Sequence, residues 1–168
     1  MAAVDEIKMK VKQPTDCSEE ELSSFKARIL EGGEVEAAGF AVRLRLARVL
    51  AFGMAGDCVA AVAALKSPLR TYRERVFAKA AVADQTTSSD LELGWIFVAP
   101  EFRLRGLAAR MVVEILGRYG QATIFATSRV DNVGMHKVLE ANGFGRTGVP
   151  YKSERGRQEL VLFLRRCG

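Results

Sequence analysis

The stretch Arg103-Leu104-Arg105-Gly106-Leu107-Ala108 decides the fold, because it joins a short apolar run to an amphipathic helix. The run before it, residues 91–98, ends in Trp-Ile-Phe-Val and is followed by Ala-Pro, which is typical of a buried strand that stops at a turn. Apolar residues then recur at helical spacing, at Leu104, Leu107, Ala108, Met111, Val112, Ile115 and Leu116. A strand, a tight turn and a helix start in this order direct backbone N–H groups and the positive end of the helix dipole at one point. The stretch therefore predicts a phosphate site, at which Gly106 lets the ligand approach the backbone closely.

A second informative segment lies at residues 131–144. It opens with Asp-Asn, continues with apolar residues at helical spacing and ends in Asn-Gly-Phe, and the strand-like residues 122–127 precede it. The pattern Arg103-x-x-Gly106-x-Ala108 resembles the Q/R-x-x-G-x-G/A pyrophosphate loop of the GNAT acyl-CoA N-acyltransferases. Residues 131–144 resemble the second motif of the same family, in which an Asn opens a helix that ends in Gly-Phe.

The resemblance covers residues 90–164 well and the first half of the chain in outline. It implies a mixed α/β fold with a GNAT-like central sheet, mixed and mostly antiparallel, flanked by helices. It also implies an N-acetyltransferase that moves an acetyl group from acetyl-CoA, its co-substrate, to a primary amine by direct attack on the thioester. The identity of the acceptor, the length of the acyl group and the oligomeric state, with a homodimer as one option, are left open.

Local patterns predict the remaining elements. Ser18 and Glu21 have the spacing of a capping box, which places a helix start at Ser18. Residues 36–46 fit a helix interrupted at Gly39, although the alternation over residues 42–46 also fits a strand. The other predicted elements are a strand at 6–12, a hairpin of 49–53 and 59–65, a helix within 69–83, a mobile substrate loop at 84–90, and strands at 146–152 and 158–165.

Length and composition suit a single domain over residues 1–168, and the resemblance implies that this domain is N-acetyltransferase-like. No run of 18 or more apolar residues is present, and residues 1–12 lack the apolar core of a secretion signal, so the cytoplasm is the expected location and no membrane partner is expected. The three cysteines are widely spaced and odd in number, which suits neither a disulfide framework nor a metal site. The net charge of +5 is compatible with a nucleic-acid partner and equally with a cofactor that carries several phosphates.

The resemblance assigns the cofactor-binding roles residue by residue. The pyrophosphate would be held by the loop residues Arg103, Leu104, Arg105, Gly106, Leu107 and Ala108. The backbone N–H of Ile96 would polarise the thioester carbonyl, and Val98 would pair with the pantetheine arm. Asn132 would either hydrogen-bond that arm or cap its own helix, with Asp131 as a competing cap.

Glu92 is the candidate general base. Strand alternation predicts that it shares one face with Gly94, Ile96 and Val98, and it matches the place where histone-type members of the family carry their base. A carboxylate there can take a proton from the amine, directly or through a water. The alternative interpretation is that Glu92 marks the solvent-exposed start of a strand.

The group that protonates the departing thiolate is not settled by the sequence. Many family members have a tyrosine seven residues after the motif Asn, but this chain has Leu139 there. His136, the only histidine, lies on the same predicted helix, and Tyr119 and Tyr151 are further candidates.

Two other functions compete with catalysis. The first is a protein that senses acyl-CoA without turnover, which Leu139 favours. The second is a basic nucleic-acid-binding module, which is disfavoured because the arginines are not interleaved with aromatic residues that could stack on bases. An aminoacyl-tRNA remains open as an acceptor of the acetyl group.

Overall fold

The computed structural model describes residues 6–88 and 91–167. Its strands are β1 (Ile7–Lys12), β2 (Val49–Ala55), β3 (Cys58–Lys66), β4 (Leu91–Val98), β5 (Ile124–Arg129), β6 (Gly145–Lys152) and β7 (Glu159–Arg165). Its α-helices are α1 (Glu19–Glu31), α2 (Phe40–Arg45), α3 (Arg70–Lys79), α4 (Leu107–Tyr119) and α5 (Val133–Ala141). Short 3-10 helices cover Pro14–Asp16, Ala83–Ser88 and Pro100–Phe102. The order of strands and α-helices confirms the order predicted from the sequence.

The strands form one seven-stranded sheet in the order β1-β2-β3-β4-β5-β7-β6. The pairs β1–β2, β2–β3, β5–β7 and β6–β7 are antiparallel, whereas β4 and β5 are parallel. The predicted mixed, mostly antiparallel sheet with flanking helices is confirmed. No helix in the described part of the chain combines the length and the apolar character that crossing a membrane requires.

Three segments predicted from local patterns have counterparts among the helices of the structure. The capping box is confirmed: the Glu21 N–H donates to the Ser18 hydroxyl at 3.1 Å, and the Ser18 N–H donates to the Glu21 carboxylate at 2.9 Å. The ambiguous segment 36–46 forms the short helix α2, which Gly39 precedes with a φ of 71°. The loop predicted at residues 84–90 begins as the 3-10 helix Ala83–Ser88, while Ser89 and Asp90 lie outside the described residues.

Contacts divide the chain into two compact units. The first contains the residues up to Lys66 together with Trp95–Arg118, and its core is built where α1 and α2 cover β2 and β3. Aromatic rings meet edge to face there, with Phe25 5.6 Å from Phe52 and Phe40 4.9 Å from Trp95. Such pairs add stabilisation beyond the burial of apolar area.

The second unit contains Ser67–Gly94 and the residues from Tyr119 onward. Helix α3 packs on one face of β5, β6 and β7, and Phe77 meets Phe125 edge to face at 5.3 Å. The opposite face of these strands carries Phe163, whose ring lies 5.0 Å from that of His136 on α5. The second unit therefore combines β5, β6, β7 and the first residues of β4 in a sheet with a helix on each face.

Gly148 is a position where β6 depends on having no side chain. Its φ is +71°, and a Cβ added there would lie 2.1 Å from the carbonyl oxygen of Ala80, which also accepts the Val149 N–H at 3.0 Å. We expect Gly148→Ala to lower the free energy of unfolding by about 2 to 4 kcal/mol, because backbone strain adds to a clash with backbone. Urea denaturation measures this change.

Gly156 supplies the matched control, since its φ is +76° and an added Cβ would meet nothing within 4 Å. Gly156→Ala should cost only about 1 kcal/mol, the contribution of strain alone. Equal losses for the two variants would contradict the role assigned to the Ala80 contact.

Candidate active site

The junction between β4 and α4 has the geometry of an anion site. Leu104 and Gly106 both adopt left-handed conformations, with φ of 62° and 70°, and α4 starts directly afterwards at Leu107. The first helical hydrogen bond runs from the Arg110 N–H to the Gly106 carbonyl. The N–H groups of residues 107–109 therefore have no carbonyl within the helix to which they could donate. The first turn holds no acidic side chain, and Gly106 has no side chain to cap it. These donors suit an external anion.

The space in front of Gly106 is open. A Cβ built on this residue would meet nothing within 4 Å, and the neighbouring Leu104 side chain is fully exposed. A left-handed leucine costs on the order of 1 kcal/mol, and such strain is found most often at functional sites. The residues present at this junction therefore fit a phosphate group.

Two arginines flank the same loop and are both exposed. The Arg103 Nε donates to the Val98 carbonyl at 3.1 Å, and its guanidinium lies 5.9 Å from the centre of the Phe97 ring. Arg105 similarly donates to the Glu101 carbonyl at 3.3 Å and lies over the ring of the adjoining Phe102. A guanidinium has five N–H donors, so these contacts orient each cation and leave further donors for a phosphate.

Strand β4, which carries Ile96 and Val98, does not follow regular strand geometry throughout. Trp95 has a φ of 49°, which is an outlier for a large side chain, and its ring packs against Phe25 and Phe40. The side-chain alternation predicted from Glu92 through Val98 is therefore interrupted at Trp95. Ile96 and Val98 are half-buried on the far side of this irregularity, and their main-chain roles remain predictions.

Glu92 is buried, with 3% of its surface exposed, so the interpretation that it marks a solvent-exposed strand start is wrong. It is the Cα partner of Phe125 in the parallel β4–β5 pairing, which puts its side chain on the face that α3 covers. The hydroxyl of Tyr72, on α3, donates to the Glu92 carboxylate at 3.3 Å. A carboxylate is thus held inside the second unit by a side chain from a different element.

Tyr151, on β6, lies on the same α3-covered face of the sheet as Glu92. Burial raises the pKa of both Tyr72 and Tyr151, and the charge of Glu92 raises each further. Thr127 acts on the pKa of Tyr151 in the opposite direction, yet the Tyr151 hydroxyl has no hydrogen bond of good geometry among the described residues.

The candidate cofactor-binding and catalytic residues on and beside α5 make hydrogen bonds and ion pairs with their near neighbours in sequence. The Asn132 side-chain oxygen accepts the Met135 N–H at 3.2 Å, so this residue caps its own helix, while Asp131 pairs with Arg129 at 3.1 Å. The His136 Nε2 lies 2.9 Å from the Arg129 carbonyl. Because its ring packs on Phe163, His136 lies on the opposite face of the second unit's sheet from Glu92.

Leu139, which stands where a tyrosine acid occurs in many GNAT proteins, is 1% exposed. Its side chain belongs to the core beneath α5, and its carbonyl accepts the Phe144 N–H at 3.1 Å. Leu139 therefore has a packing role in this chain. No group of three or more His, Cys, Asp or Glu side chains suited to a metal ion occurs within residues 6–88 and 91–167.

No family model matches the sequence, and no curated protein matches it either. Solved structures match the fold. An acyl-CoA N-acyltransferase from Pseudomonas aeruginosa superposes with a TM-score of 0.71 at 11% identity, over 95% of this chain and 99% of that chain. The chain has the GNAT fold.

Two further structures with the GNAT fold show the same likeness. The ribosomal-protein-S18-alanine N-acetyltransferase from Escherichia coli matches with a TM-score of 0.66 at 15% identity, over 96% of this chain and 95% of that chain. The yncA protein from Salmonella typhimurium, described as an acetyltransferase and solved with its cofactor acetyl-CoA, matches with a TM-score of 0.64 at 13% identity, over 97% and 95% of the two chains. At these identities the likeness concerns the fold.

Within this GNAT fold the predicted residues fall into two groups. The loop residues and the end of β4 belong to the first unit, and Glu92, Asn132 and His136 belong to the second. Sequence reasoning did not identify Tyr72, although residues 69–83 were predicted to be helical. The apolar spacing of Tyr72 and Val76 marks the buried side of α3, but nothing local pairs Tyr72 with a carboxylate twenty residues away.

Proposed function

We propose that this protein is an N-acetyltransferase that moves an acetyl group from acetyl-CoA to a primary amine by direct attack on the thioester. The observation that carries the proposal is the open, left-handed turn at Gly106 before a helix without an acidic first turn. Its N–H groups and the flanking Arg103 and Arg105 supply the donors that a pyrophosphate requires. The GNAT fold and a neighbour solved with acetyl-CoA support the same choice of cofactor.

In this proposal the chain's residues divide the work of binding and proton transfer. The loop from Arg103 to Ala108 binds the pyrophosphate, and the main chain of β4 near Ile96 and Val98 holds the thioester end. Acetyl-CoA supplies the activated acyl group. Glu92 takes the proton of the acceptor amine, so that the nitrogen lone pair becomes available for attack on the carbonyl carbon. The C–N bond forms, the C–S bond of the thioester breaks, and CoA leaves as its thiolate.

A route through a covalent cysteine intermediate has little support. Burial raises the pKa of the half-buried Cys17 thiol, which disfavours its nucleophilic thiolate form. The exposed Cys58 thiol accepts a contact from Arg28 at 3.6 Å, and His136 is engaged with the Arg129 carbonyl. Direct transfer between the two substrates needs none of these groups.

The proposed location is the cytoplasm. Cysteines outside disulfides and the use of acetyl-CoA as a co-substrate both suit that compartment.

The acceptor is proposed only as a class, a primary amine. The Escherichia coli neighbour is named for N-acetylation of an alanine of ribosomal protein S18, and this supports including proteins among the acceptors to be tested. Small amines and aminoacyl-tRNA are the other acceptors to be tested in the thiol-release assay described next.

The test has two parts. Calorimetry with acetyl-CoA, CoA and a short RNA should give binding of the two CoA compounds alone. A thiol-release assay with small amines, peptides with free N-termini and aminoacyl-tRNA should then give turnover with at least one acceptor. Binding of acetyl-CoA without thiol release in any arm would contradict the enzyme and establish a sensor. Binding of RNA alone would overturn the choice of cofactor.

Arg103 provides a quantitative test of the pyrophosphate loop. We expect Arg103→Ala to weaken acetyl-CoA binding by roughly 1 to 3 kcal/mol, about 5- to 150-fold in Kd, because a charge-assisted hydrogen bond to phosphate is lost. Isothermal titration calorimetry measures the change. Arg43 is the matched control, since it also lies over a phenylalanine ring and donates to main-chain carbonyls, but outside the loop. Similar affinities for the two variants would return Arg103 to the role of an exposed surface cation.

A further inference from the structure

Trp95 has a backbone conformation that large side chains avoid, in the middle of strand β4. Its φ of 49° is in the left-handed region, and Trp95 is the only residue of Leu91–Val98, a strand that the structure describes in full, with a positive φ. Such a conformation costs free energy and persists only where the surrounding structure imposes it. The strain at Trp95 therefore indicates that neighbouring elements hold this residue in place.

The dihedral angles of Trp95 decide where the next main-chain donor points. The Trp95 carbonyl and the Ile96 N–H belong to one planar peptide group, whose orientation follows from the φ and ψ of Trp95. In a regular strand this group would point along the ladder, toward a neighbouring strand. The left-handed φ turns it away from that direction, as a bulge does. The Ile96 N–H, which is proposed to polarise the thioester carbonyl, is thus aimed by the residue before it.

Pairing with β5 does not set the conformation of Trp95. The β4–β5 register joins Leu91 to Ile124 and Glu92 to Phe125, and it includes no later residue of Leu91–Val98. The main chain at Trp95 therefore depends on other contacts for its left-handed conformation.

Aromatic rings from two helices supply such contacts within the first unit. The ring of Phe40, the first residue of α2, lies 4.9 Å from the Trp95 ring at an interplanar angle of 64°. The ring of Phe25, on α1, lies 6.4 Å away at 74°, and both phenylalanines are fully buried. The Lys66 ammonium, at the end of β3, lies 5.0 Å from the centre of the indole. Edge-to-face pairs and a cation over an indole both add stabilisation that offsets the backbone strain.

Phe40 is itself held by the turn that precedes α2. Gly39 is the N-cap of this helix and has a φ of 71°. The Arg43 guanidinium lies 5.8 Å from the centre of the Phe40 ring and donates to two main-chain carbonyls of residues 36–38, at 3.1 and 3.0 Å. The ring that lies nearest to the Trp95 indole therefore comes from a segment with its own internal hydrogen bonds.

We propose that Phe40 is a positioning residue that acts on the reaction through Trp95. By holding the left-handed backbone of Trp95, it aims the Ile96 N–H at the carbonyl oxygen of the acyl thioester. This inference rests on the proposed function. When the acceptor nitrogen attacks the carbonyl carbon, the π electron pair of the C=O bond moves onto oxygen, and the Ile96 N–H donates to that oxygen. The pair re-forms the C=O bond as the C–S bond breaks and the thiolate leaves with the electrons of that bond.

Infrared spectroscopy of bound acetyl-CoA, labelled with carbon-13 at the acetyl carbonyl, measures this hydrogen bond without turnover. A donor lowers the stretching frequency of a carbonyl, so the band should lie lower in the wild-type complex than in free acetyl-CoA. Phe40→Leu keeps an apolar side chain but removes the ring. It should move the band toward the free value and lower kcat about 10-fold, because the donor is less well aimed. The Kd for CoA should stay within about twofold, because the pyrophosphate loop is unchanged.

Phe52→Leu is the matched control, since it makes the same substitution in the same core. Phe52 is 1% exposed, and its edge-to-face partner is Phe25, 5.6 Å away. This variant should be destabilised by a comparable amount, yet its carbonyl band and its kcat should stay close to those of wild type. Equal shifts of the band in the Phe40 and Phe52 variants would overturn the positioning role.

Substitutions of Trp95 give a second test that does not require the Phe40 variant to fold. Trp95→Phe keeps a ring for Phe40 to contact, so kcat should stay within about threefold and the band near its wild-type position. Trp95→Gly accepts a left-handed conformation without strain but offers no ring. It should therefore lose the band shift and about 10-fold or more in kcat. A Trp95→Gly protein with a wild-type band would show that Phe40 is not needed to aim the donor.

The failure of this inference is distinguishable from the failure of the proposed function. Wild-type protein that releases thiol but shows no lowered band in its acetyl-CoA complex would overturn the positioning role alone. Wild-type protein whose band is lowered, and is restored by Phe40→Leu, but which releases no thiol with any acceptor would support the positioning role and contradict the enzyme.

Discussion

Glu92→Gln is expected to lower turnover by roughly 10²- to 10⁴-fold while the fold and the affinity for acetyl-CoA stay nearly unchanged. Glutamine has the shape of glutamate and its amide oxygen still accepts the Tyr72 hydroxyl, but it cannot take a proton from the acceptor. The loss should be partly rescued at high pH, where the acceptor amine is already neutral. Steady-state thiol release across a pH series measures both effects.

Glu74→Gln is the matched control, because Glu74 lies on α3 and pairs with Arg70 on the exposed side of that helix. This substitution should leave turnover within about twofold of wild type, as expected for an exposed ion pair. A Glu92→Gln enzyme that stays within a few-fold of wild type would remove the general-base assignment. Rescue at high pH that is equal for both variants would also count against it.

Gly106→Glu is expected to weaken acetyl-CoA binding by more than about 100-fold, beyond the range of ordinary calorimetry. The new side chain would occupy the open space in front of the loop and put a negative charge where the phosphates are proposed to bind. Calorimetry measures the affinity, and a thermal melt verifies that the variant is folded.

Gly33→Glu separates backbone strain from the loss of the site. Gly33 has nearly the same backbone conformation, with a φ of 72°, and an added Cβ would likewise meet nothing within 4 Å. It lies just after α1, outside the loop from Arg103 to Ala108. The Gly33 variant should share the modest loss of stability and bind acetyl-CoA normally. Normal binding by a folded Gly106→Glu protein would refute the phosphate site.

The features that the sequence predicted well are those set by near neighbours along the chain. The capping box of Ser18 and Glu21 involves residues three positions apart, and the bounds of β4 follow from an apolar run that ends at Ala-Pro. The turn at Gly106 is likewise local, since its conformation depends on one glycine before a helix. In each case the residues that form the sequence pattern also make the contacts, or adopt the backbone conformation, that produce the structure.

The features that escaped prediction are set by residues far apart in sequence. The left-handed backbone of Trp95 is held by rings of Phe25 and Phe40, which no pattern within β4 reveals. Residues 36–46 were predicted as a helix with a strand as the alternative, and the helix Phe40–Arg45 forms there because burial of Phe40 and Leu44, four residues apart, suits a helical face. The burial of Glu92 under α3 depends on the register between β4 and β5, which a single sequence does not fix.

The carbonyl of Ala80, at the C-terminal end of α3, accepts a hydrogen bond from the Val149 N–H. The segment between β3 and β4 therefore has a structural role in holding β6. The C-terminal end of α3 thus anchors β6, and Tyr72 of the same helix donates its hydroxyl to Glu92. Shortening this connection to a minimal loop would remove a strand anchor and a polar partner in one step. Anyone who trims the chain to a smaller catalytic scaffold should therefore keep residues 70–80 intact and take length from elsewhere.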